Sequence, residues 1–381
     1  MRIALIDTAC NPENPGLSGL SDVIWNMAIQ LHHLGDEVHV FGPYTSERYP
    51  DDSIAVHSFP PPWPGWRSLP GQLRIPLQAR KLLRQVGHFD IIHAAEYTTT
   101  GMLSLLREKT PMVLTTPGNI YEHILHGNPY VWETTQIYKV FARLSARRCA
   151  RIVATCQDMA LWWAFTGTPP WKIPVIPYGV NTDLFRPIPE ARSRIGLHED
   201  KKIVLFVGRL DRSKGLPDLL QAAHLLADTH DFALHVVGNG PEEHSLKEMA
   251  ERLGIEKIVK FQNWVNLPDV PLWYSAADVC VAPSVSEGFL RIFAEAMACG
   301  CLFVGTPIAG MKDHIFPGKT GFLVKRKDAH DLAEALALVF QNPDLARTVA
   351  QAGREYALTH LDWQAVVPRI REEVYYPILN A

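Results

Sequence analysis

Short apolar runs alternate with longer stretches of helical period along this chain, and the alternation stops once, at a proline-rich segment, before it begins again. Residues 2–6 read as a strand. Residues 20–34 follow as a helix with Val23, Ile24, Met27, Ala28 and Leu31 at its apolar positions, and Gly35 ends it before a strand at 37–41. Further short strands are expected at 90–94, 111–115 and 152–155. The break spans 173–189, where Pro174, Pro177, Pro187 and Pro189 surround a turn-like Tyr178-Gly179-Val180-Asn181. Beyond it the pattern predicts strands at 202–207, 233–237, 257–261, 279–282 and 302–305. The matching helices are expected at 216–227, 242–253, 289–299, 329–340 and 344–358, with a last helical stretch from Asp362. Repeated strand–helix alternation implies parallel sheets, so the expected fold is α/β, with two Rossmann-like, doubly wound domains at 1–175 and 176–360. In such sheets ligands sit beyond the carboxyl ends of the strands, and two facing sheets place a cleft between them.

A length of 381 residues agrees with two domains at roughly 100–200 residues each. A net charge of −3 gives no electrostatic reason to expect a nucleic-acid partner. Cys10, Cys149, Cys156, Cys280, Cys299 and Cys301 show no C-x-x-C spacing and no dense disulfide framework, which reads as a reducing compartment with cysteines as small core residues. A metal at Cys299 and Cys301 lacks the four converging ligands of a zinc site, so no metal is expected. The N-terminal apolar run is too short for a signal peptide, and no stretch approaches the ~18 apolar residues of a membrane span. The reading is cytoplasmic, at most peripheral at the inner membrane face. Residues 59–66, with four prolines, a glycine and two tryptophans, can only be a loop.

Two loops look suited to phosphate. Gly208-Arg-Leu-Asp-Arg-Ser-Lys-Gly215 lies between a strand and a helix that opens at Pro217, where a missing N–H costs nothing. Arg209 offers a planar fork and Lys214 a point charge, and together they can clamp a diphosphate whose charge grows as it departs. Solvated loop charges are the alternative. The second loop, Val237-Gly-Asn-Gly-Pro241, has Gly238 and Gly240 where a backbone can approach a ligand closely, although a tight turn would need the same residues.

Glu287 follows a strand, and Glu295 lies within the predicted helix among Ile292, Phe293, Ala294, Ala296 and Met297. A carboxylate in so apolar a helix needs a partner. Arg291 at i−4 would make a structural ion pair; the hydroxyls of a ligand such as a ribose are the other choice. The free N–H groups at the start of the helix offer an anion site, with Glu287 at its mouth.

Glu287 and Glu295, with seven residues between them, resemble the E-x7-E signature of the retaining glycosyltransferases of the GT-B fold, a family that includes mannosyl-, glucosyl- and N-acetylglucosaminyltransferases. The likeness extends to Pro283-Ser284, Ala296-Met-Ala-Cys-Gly300, Gly208-Arg209 with Lys214-Gly215, Gly238 and Gly240-Pro241, Gly310 with Asp313, and 320–324. It covers nearly the whole second half and is looser in the first. The resemblance implies an acceptor-binding first domain, a nucleotide-sugar-binding second domain, and a C-terminal helix at 361–381 packing back on the first. It implies that Arg209 and Lys214 hold the donor diphosphate and Glu295 the ribose. Glu287 would face the donor sugar, cradled by the backbone of Gly288, Phe289 and Leu290. It further implies front-face transfer with retention from a nucleotide-diphosphate sugar, UDP-sugar favoured, needing no cofactor and no metal. Departures are Ser18 before Gly19 in the first glycine loop, Leu290 where glycine is common, and Thr116-Pro117-Gly118 where a histidine is frequent; His123 or His126 downstream is the candidate substitute on the acceptor side. His93, ending a strand, reads as structural.

Two acid-free basic stretches, Arg67, Arg74, Arg80, Lys81 and Arg84, and Lys139, Arg143, Arg147, Arg148 and Arg151, are either solvated faces or a contact for an anionic membrane or phosphorylated acceptor. A GDP-mannose donor is the alternative within the class. Outside it stand a sugar-nucleotide 2-epimerase and a non-catalytic nucleotide-sugar-binding subunit. A dinucleotide dehydrogenase is disfavoured because no G-x-G-x-x-G follows the first strand. The acceptor (small molecule, glycan or lipid) and the oligomeric state are not written in the sequence.

Overall fold

The computed structural model describes residues 1–8, 19–45, 49–60, 69–116, 131–197, 201–285, 291–308 and 310–380, and the statements below concern these. The chain divides into two compact units, Met1–Tyr178 with Trp363–Ala381, and Gly179–Asp362.

Unit 1 runs β1 (Arg2–Ile6), α1 (Gly19–His33), β2 (Glu37–Gly42), β3 (Ala55–Ser58), α2 (Leu69–Val86), β4 (Ile91–Ala94), α3 (Tyr97–Leu105), β5 (Met112–Thr116), α4 (Val131–Arg148), β6 (Arg151–Ala154) and α5 (Gln157–Phe165). Among the described residues its strands form one sheet in the order β3-β2-β1-β4-β5-β6, each pair parallel. Both faces of β1 are buried: Ala4 and Ile6 pack with Ile75, Ala79 and Leu83 of α2 and Leu103 of α3, and Ile3 and Leu5 are equally inaccessible. Burial on two sides is why the strands read as unbroken apolar runs rather than alternating ones. The pattern at 55–58 (Ala-Val-His-Ser) is only half-buried at the sheet edge, which is why β3 carries no apolar signature.

Unit 2 runs α6 (Ala191–Arg194), β7 (Lys202–Val207), α7 (Leu216–Leu226), β8 (Phe232–Val237), α8 (Glu243–Arg252), β9 (Val259–Gln262), α9 (Val270–Ala276), β10 (Val279–Ala282), α10 (Ile292–Ala298), β11 (Leu302–Gly305), α11 (Met311–His314), β12 (Phe322–Leu323), α12 (Ala329–Gln341) and α13 (Pro343–Tyr356). Its parallel sheet has the order β12-β11-β10-β7-β8-β9. Val204 and Phe206 face one core with Leu216, Leu219 and Leu220 of α7 and Leu332 and Leu336 of α12, while Leu205 faces another with Tyr274, Phe293 and Met297. The helix expected at 289–299 is described only from Ile292, and the one expected from 242 begins at Glu243, after a turn at Pro241.

Hydrogen bonds mark where the chain leaves one unit for the other, a few residues from the expected boundaries. Ala154 N donates to Pro174 O and Ile176 N to Ala154 O, extending unit 1 past 175. Val180 N donates to Leu361 O, and Val180 forms a parallel bridge with Asp362, closing unit 2 on itself.

The segment after Asp362 continues as α14 (Trp363–Arg369), a wide turn at Ile370–Tyr375 and α15 (Tyr376–Leu379), and belongs to unit 1. There the Tyr375 hydroxyl lies 2.6 Å from His93 Nδ1, and His93 Nε2 lies 2.7 Å from Thr115 Oγ1. Burial pushes the His93 imidazole down to about 3, so the ring is neutral and acts as donor on one side and acceptor on the other. A folded-state value below the unfolded one makes the unfolded chain the stronger proton binder, and stability falls as pH drops through the unfolded value of about 6.5. His93 is therefore expected to remove stability from unit 1 with a slope approaching about 1.4 kcal/mol per pH unit between pH 6 and 5. Denaturant midpoints across that range check it: the slope should shrink in His93→Gln, and an unchanged slope refutes the assignment.

Candidate functional site

In unit 2 the strand order reverses between β7 and β10, and an open α/β sheet receives a ligand beyond the carboxyl ends of its strands at such a switch point. The loop after β7 carries Arg209 and Lys214. Its shape comes from Asp211, whose Oδ1 accepts from Ser213 N at 2.9 Å and Ser213 Oγ at 2.5 Å, folding 212–214 into a single tight turn that ends at Lys214. Asp211 Oδ2 also lies 3.6 Å from Arg209 Nε, while the Arg209 side chain remains 70% exposed. Asp211 was not singled out in the sequence; an Asp two residues before a Ser in a strand-to-helix loop is the available signal.

Two neighbouring loops, those after β8 and β10, are bound to this one through backbone. Gly208 N donates to Val237 O at 3.0 Å, Leu210 N to Asn239 O at 2.8 Å, and Glu242 N to Leu210 O at 3.0 Å. Val285 N donates to Ser213 O at 2.7 Å, holding the chain after β10 against the Lys214 turn. Thr306 Oγ1, after β11, donates to Ser284 O at 2.5 Å.

The glycines answer to this packing. A Cβ on Gly238 would sit 2.0 Å from Gly208 O, one on Gly240 2.3 Å from Leu210 O, and one on Gly215 2.0 Å from Pro283 O. Gly238 also has φ +139 and Gly215 φ +69. Gly238 and Gly240 thus keep room for the adjacent loop, as a tight turn would also require.

Glu295 is buried in α10, as the apolar surroundings predict. Its Oε1 lies 3.7 Å from Arg291 Nη2, an ion pair but too long for a hydrogen bond. Its Oε2 accepts from the Tyr274 hydroxyl at 3.0 Å. Burial first, and then the nearby carboxylate, push the Tyr274 hydroxyl well above its ordinary value, so it stays a donor. Tyr274, on α9 and far away in sequence, carries no motif.

Glu287, Gly288, Phe289 and Leu290 lie outside the described residues, as do His123, His126, Ser18 and the Pro/Trp-rich stretch from 61 onward. Val285, hydrogen-bonded to the Lys214 turn, is the last described residue before that segment, and Arg291 and Glu295 follow it. Gly19 is the first residue of α1, at the carboxyl side of β1 in unit 1. Near it, fully buried Asp7 accepts from Ser21 Oγ at 2.5 Å and Tyr44 OH at 2.9 Å. Beside Gly238, whose N–H donates to Gln262 O, the chain presents Trp264 with its ring 63% exposed. Among the described residues no group of three or more His, Cys, Asp or Glu is placed to hold a metal.

Two outcomes are expected. Gly238→Ala should lower the stability of unit 2 by at least about 1–3 kcal/mol from backbone strain alone, read from denaturant unfolding; a wild-type midpoint would contradict the packing account. Tyr274→Phe should cost about 1–3 kcal/mol by removing the hydrogen bond to a buried carboxylate, and no loss would mean that Glu295 does not depend on it.

Two family models match the chain: Glycosyltransferase Family 4 over residues 17–184 and Glycosyl transferases group 1 over residues 187–356. The D-inositol 3-phosphate glycosyltransferase of Kribbella flavida is 29% identical over 93% of this chain and 91% of its own length. That of Thermomonospora curvata is 32% identical over 58% of this chain and 56% of its own. Among solved structures, sucrose-phosphate synthase from Thermosynechococcus elongatus is similar with a TM-score of 0.80 over 100% of this chain and 99% of that one, at 23% identity. Anabaena HepE in complex with UDP is similar with a TM-score of 0.78 over 99% and 100%, at 20% identity.

Proposed function

Because the chain belongs to the group 1 glycosyltransferases of the GT-B fold, and is an enzyme of that class, we propose that it moves a hexosyl group from a UDP-sugar to a hydroxyl acceptor with retention and without a metal. The observation that carries this reading is the pair Arg209 and Lys214 on one loop at the β7/β10 switch point, held there by two backbone-bonded neighbouring loops. A departing diphosphate gains negative charge, and fixed cations lower the barrier only if they need not reorganise as it forms. The backbone bonds supply that rigidity.

In this reading Arg209 and Lys214 take the diphosphate and do the work a metal would do elsewhere. Glu295, aimed by Tyr274, takes the ribose hydroxyls, Gly238 and Gly240 shape the loop beside the phosphates, and Trp264 lies where the base would reach. Glu287 with Gly288, Phe289 and Leu290 lines the sugar. The acceptor hydroxyl attacks the face the leaving phosphate vacates and gives its proton to that phosphate, through an oxocarbenium-like state. HepE was solved with UDP and with UDP-glucose, which supports uridine as the base to test first. The inositol-phosphate name shared by the curated relatives makes a phosphorylated cyclitol the first acceptor to try.

Arg209→Ala and Lys214→Ala are each expected to lose about 2–4 kcal/mol of transition-state stabilisation, or roughly 10²–10³ in kcat/KM. Steady-state rates with UDP-, GDP- and ADP-sugars over an acceptor panel measure it, with EDTA present throughout. Full turnover in both variants sinks the clamp; turnover that EDTA abolishes sinks metal independence; a clear GDP-sugar preference moves the donor to GDP-mannose.

A further inference from the structure

One surface of unit 1 exposes large apolar side chains as a group. On α5, Leu161 and Phe165 stand one helical turn apart and are 57% and 89% exposed, and Trp171, in the turn that follows, is 64% exposed. Such rings are ordinarily covered, and exposed large aromatics in a group mark a contact site. Two cations lie against the tryptophan. Arg151 lies over the Trp171 ring at 5.0 Å, and Lys172 Nζ is 5.5 Å from its centroid. Lys172 Nζ also donates to Cys149 O at 3.2 Å, which binds this turn to the end of α4, where Arg147 and Arg148 are exposed. Arg143, one turn earlier on α4, is exposed as well.

The chain segment that carries it is nearly one-signed. From residue 134 to 182 the chain has six cations, Lys139, Arg143, Arg147, Arg148, Arg151 and Lys172, against one acid, Asp158 at the opposite end of α5. The other basic stretch differs: its Arg80 is engaged by Glu108 at 3.7 Å and by Leu106 O. A second copy of this chain meeting the same surface by two-fold symmetry would set these cations against themselves. Arg151 opens β6 and α5 runs back antiparallel to it, so the patch lies at the amino ends of the strands, away from the carboxyl ends where ligands bind.

Exposed aromatic side chains on a segment rich in cations match a layer of anionic headgroups over acyl chains: tryptophan and phenylalanine enter the interface while Arg and Lys meet the phosphates. We propose that Leu161, Phe165 and Trp171, with Arg143, Arg147, Arg148, Arg151 and Lys172, dock this protein on an anionic phospholipid surface.

The test is co-sedimentation of the full chain with vesicles of phosphatidylcholine alone and of phosphatidylcholine with a third phosphatidylglycerol. Binding is expected only to the anionic vesicles and should weaken as salt rises. Replacing Arg147 and Arg148 by Glu should weaken it by about fivefold or more per cation, and Phe165→Ser with Trp171→Ser should weaken it while leaving the far-ultraviolet dichroism unchanged. These side chains are exposed, so folding is not at stake. Failure to bind anionic vesicles, equal binding to both vesicle types, or undiminished binding by either double variant overturns the proposal. So does a concentration-dependent dimer, seen by sedimentation velocity, that Phe165→Ser with Trp171→Ser dissolves, which would assign the patch to self-association. None of these outcomes bears on the sugar-transfer reading, which is tested with soluble substrates.

Discussion

The second unit depends on loops that meet backbone to backbone at the end of its sheet. Gly238 and Gly240 lie against the carbonyls of Gly208 and Leu210, and Gly215 lies against that of Pro283, at distances no side chain would permit. Amide hydrogen bonds then join the same segments at 2.7–3.0 Å. Loops so joined cannot move independently, and a charged side chain rooted in them inherits that rigidity. This is the physical content of preorganisation: the geometry is set during folding, so none of it has to be created when charge develops in a reaction.

Electrostatics in the same unit follow a related logic. Glu295 sits in a helix whose other side chains are apolar, and the carboxylate is retained there by a tyrosine hydroxyl from one element and a guanidinium from its own helix. Asp211 does the corresponding work at the surface, folding a turn with one oxygen and standing beside Arg209 with the other. In both places an acid positions a neighbour, and its own charge is the reason that neighbour holds a defined orientation.

Unit 1 is completed by a segment that arrives last in the sequence. Tyr375 reaches His93 in the middle of the sheet, and Arg371 meets the buried Asp36 at 3.0 Å. A domain that needs its own chain terminus to satisfy interior polar groups cannot finish folding until the chain has passed through the other unit. The same unit leaves aromatic side chains uncovered around Trp171, where cations and rings share one turn.

Much of this was legible in the chain itself. Period and apolar runs located β1, β2, β7, β8, β10 and β11 to within a residue or two, because strands buried on both faces must be continuously apolar. Pro217 and Gly215 marked the start of α7, and the apolar surroundings of Glu295 announced that it needed a partner. The edge strand β3, half exposed, and the two-residue β12 escaped, since neither is long or apolar enough to stand out. What only the tertiary structure decided is who meets whom. That Tyr274 donates to Glu295, that Gly238 yields to Gly208, and that Tyr375 answers His93 across 282 positions are facts of packing between segments with no shared local pattern. Sequence periodicity reports each element's own environment, apolar or polar. Pair identity arises only when the crossovers bring distant elements together.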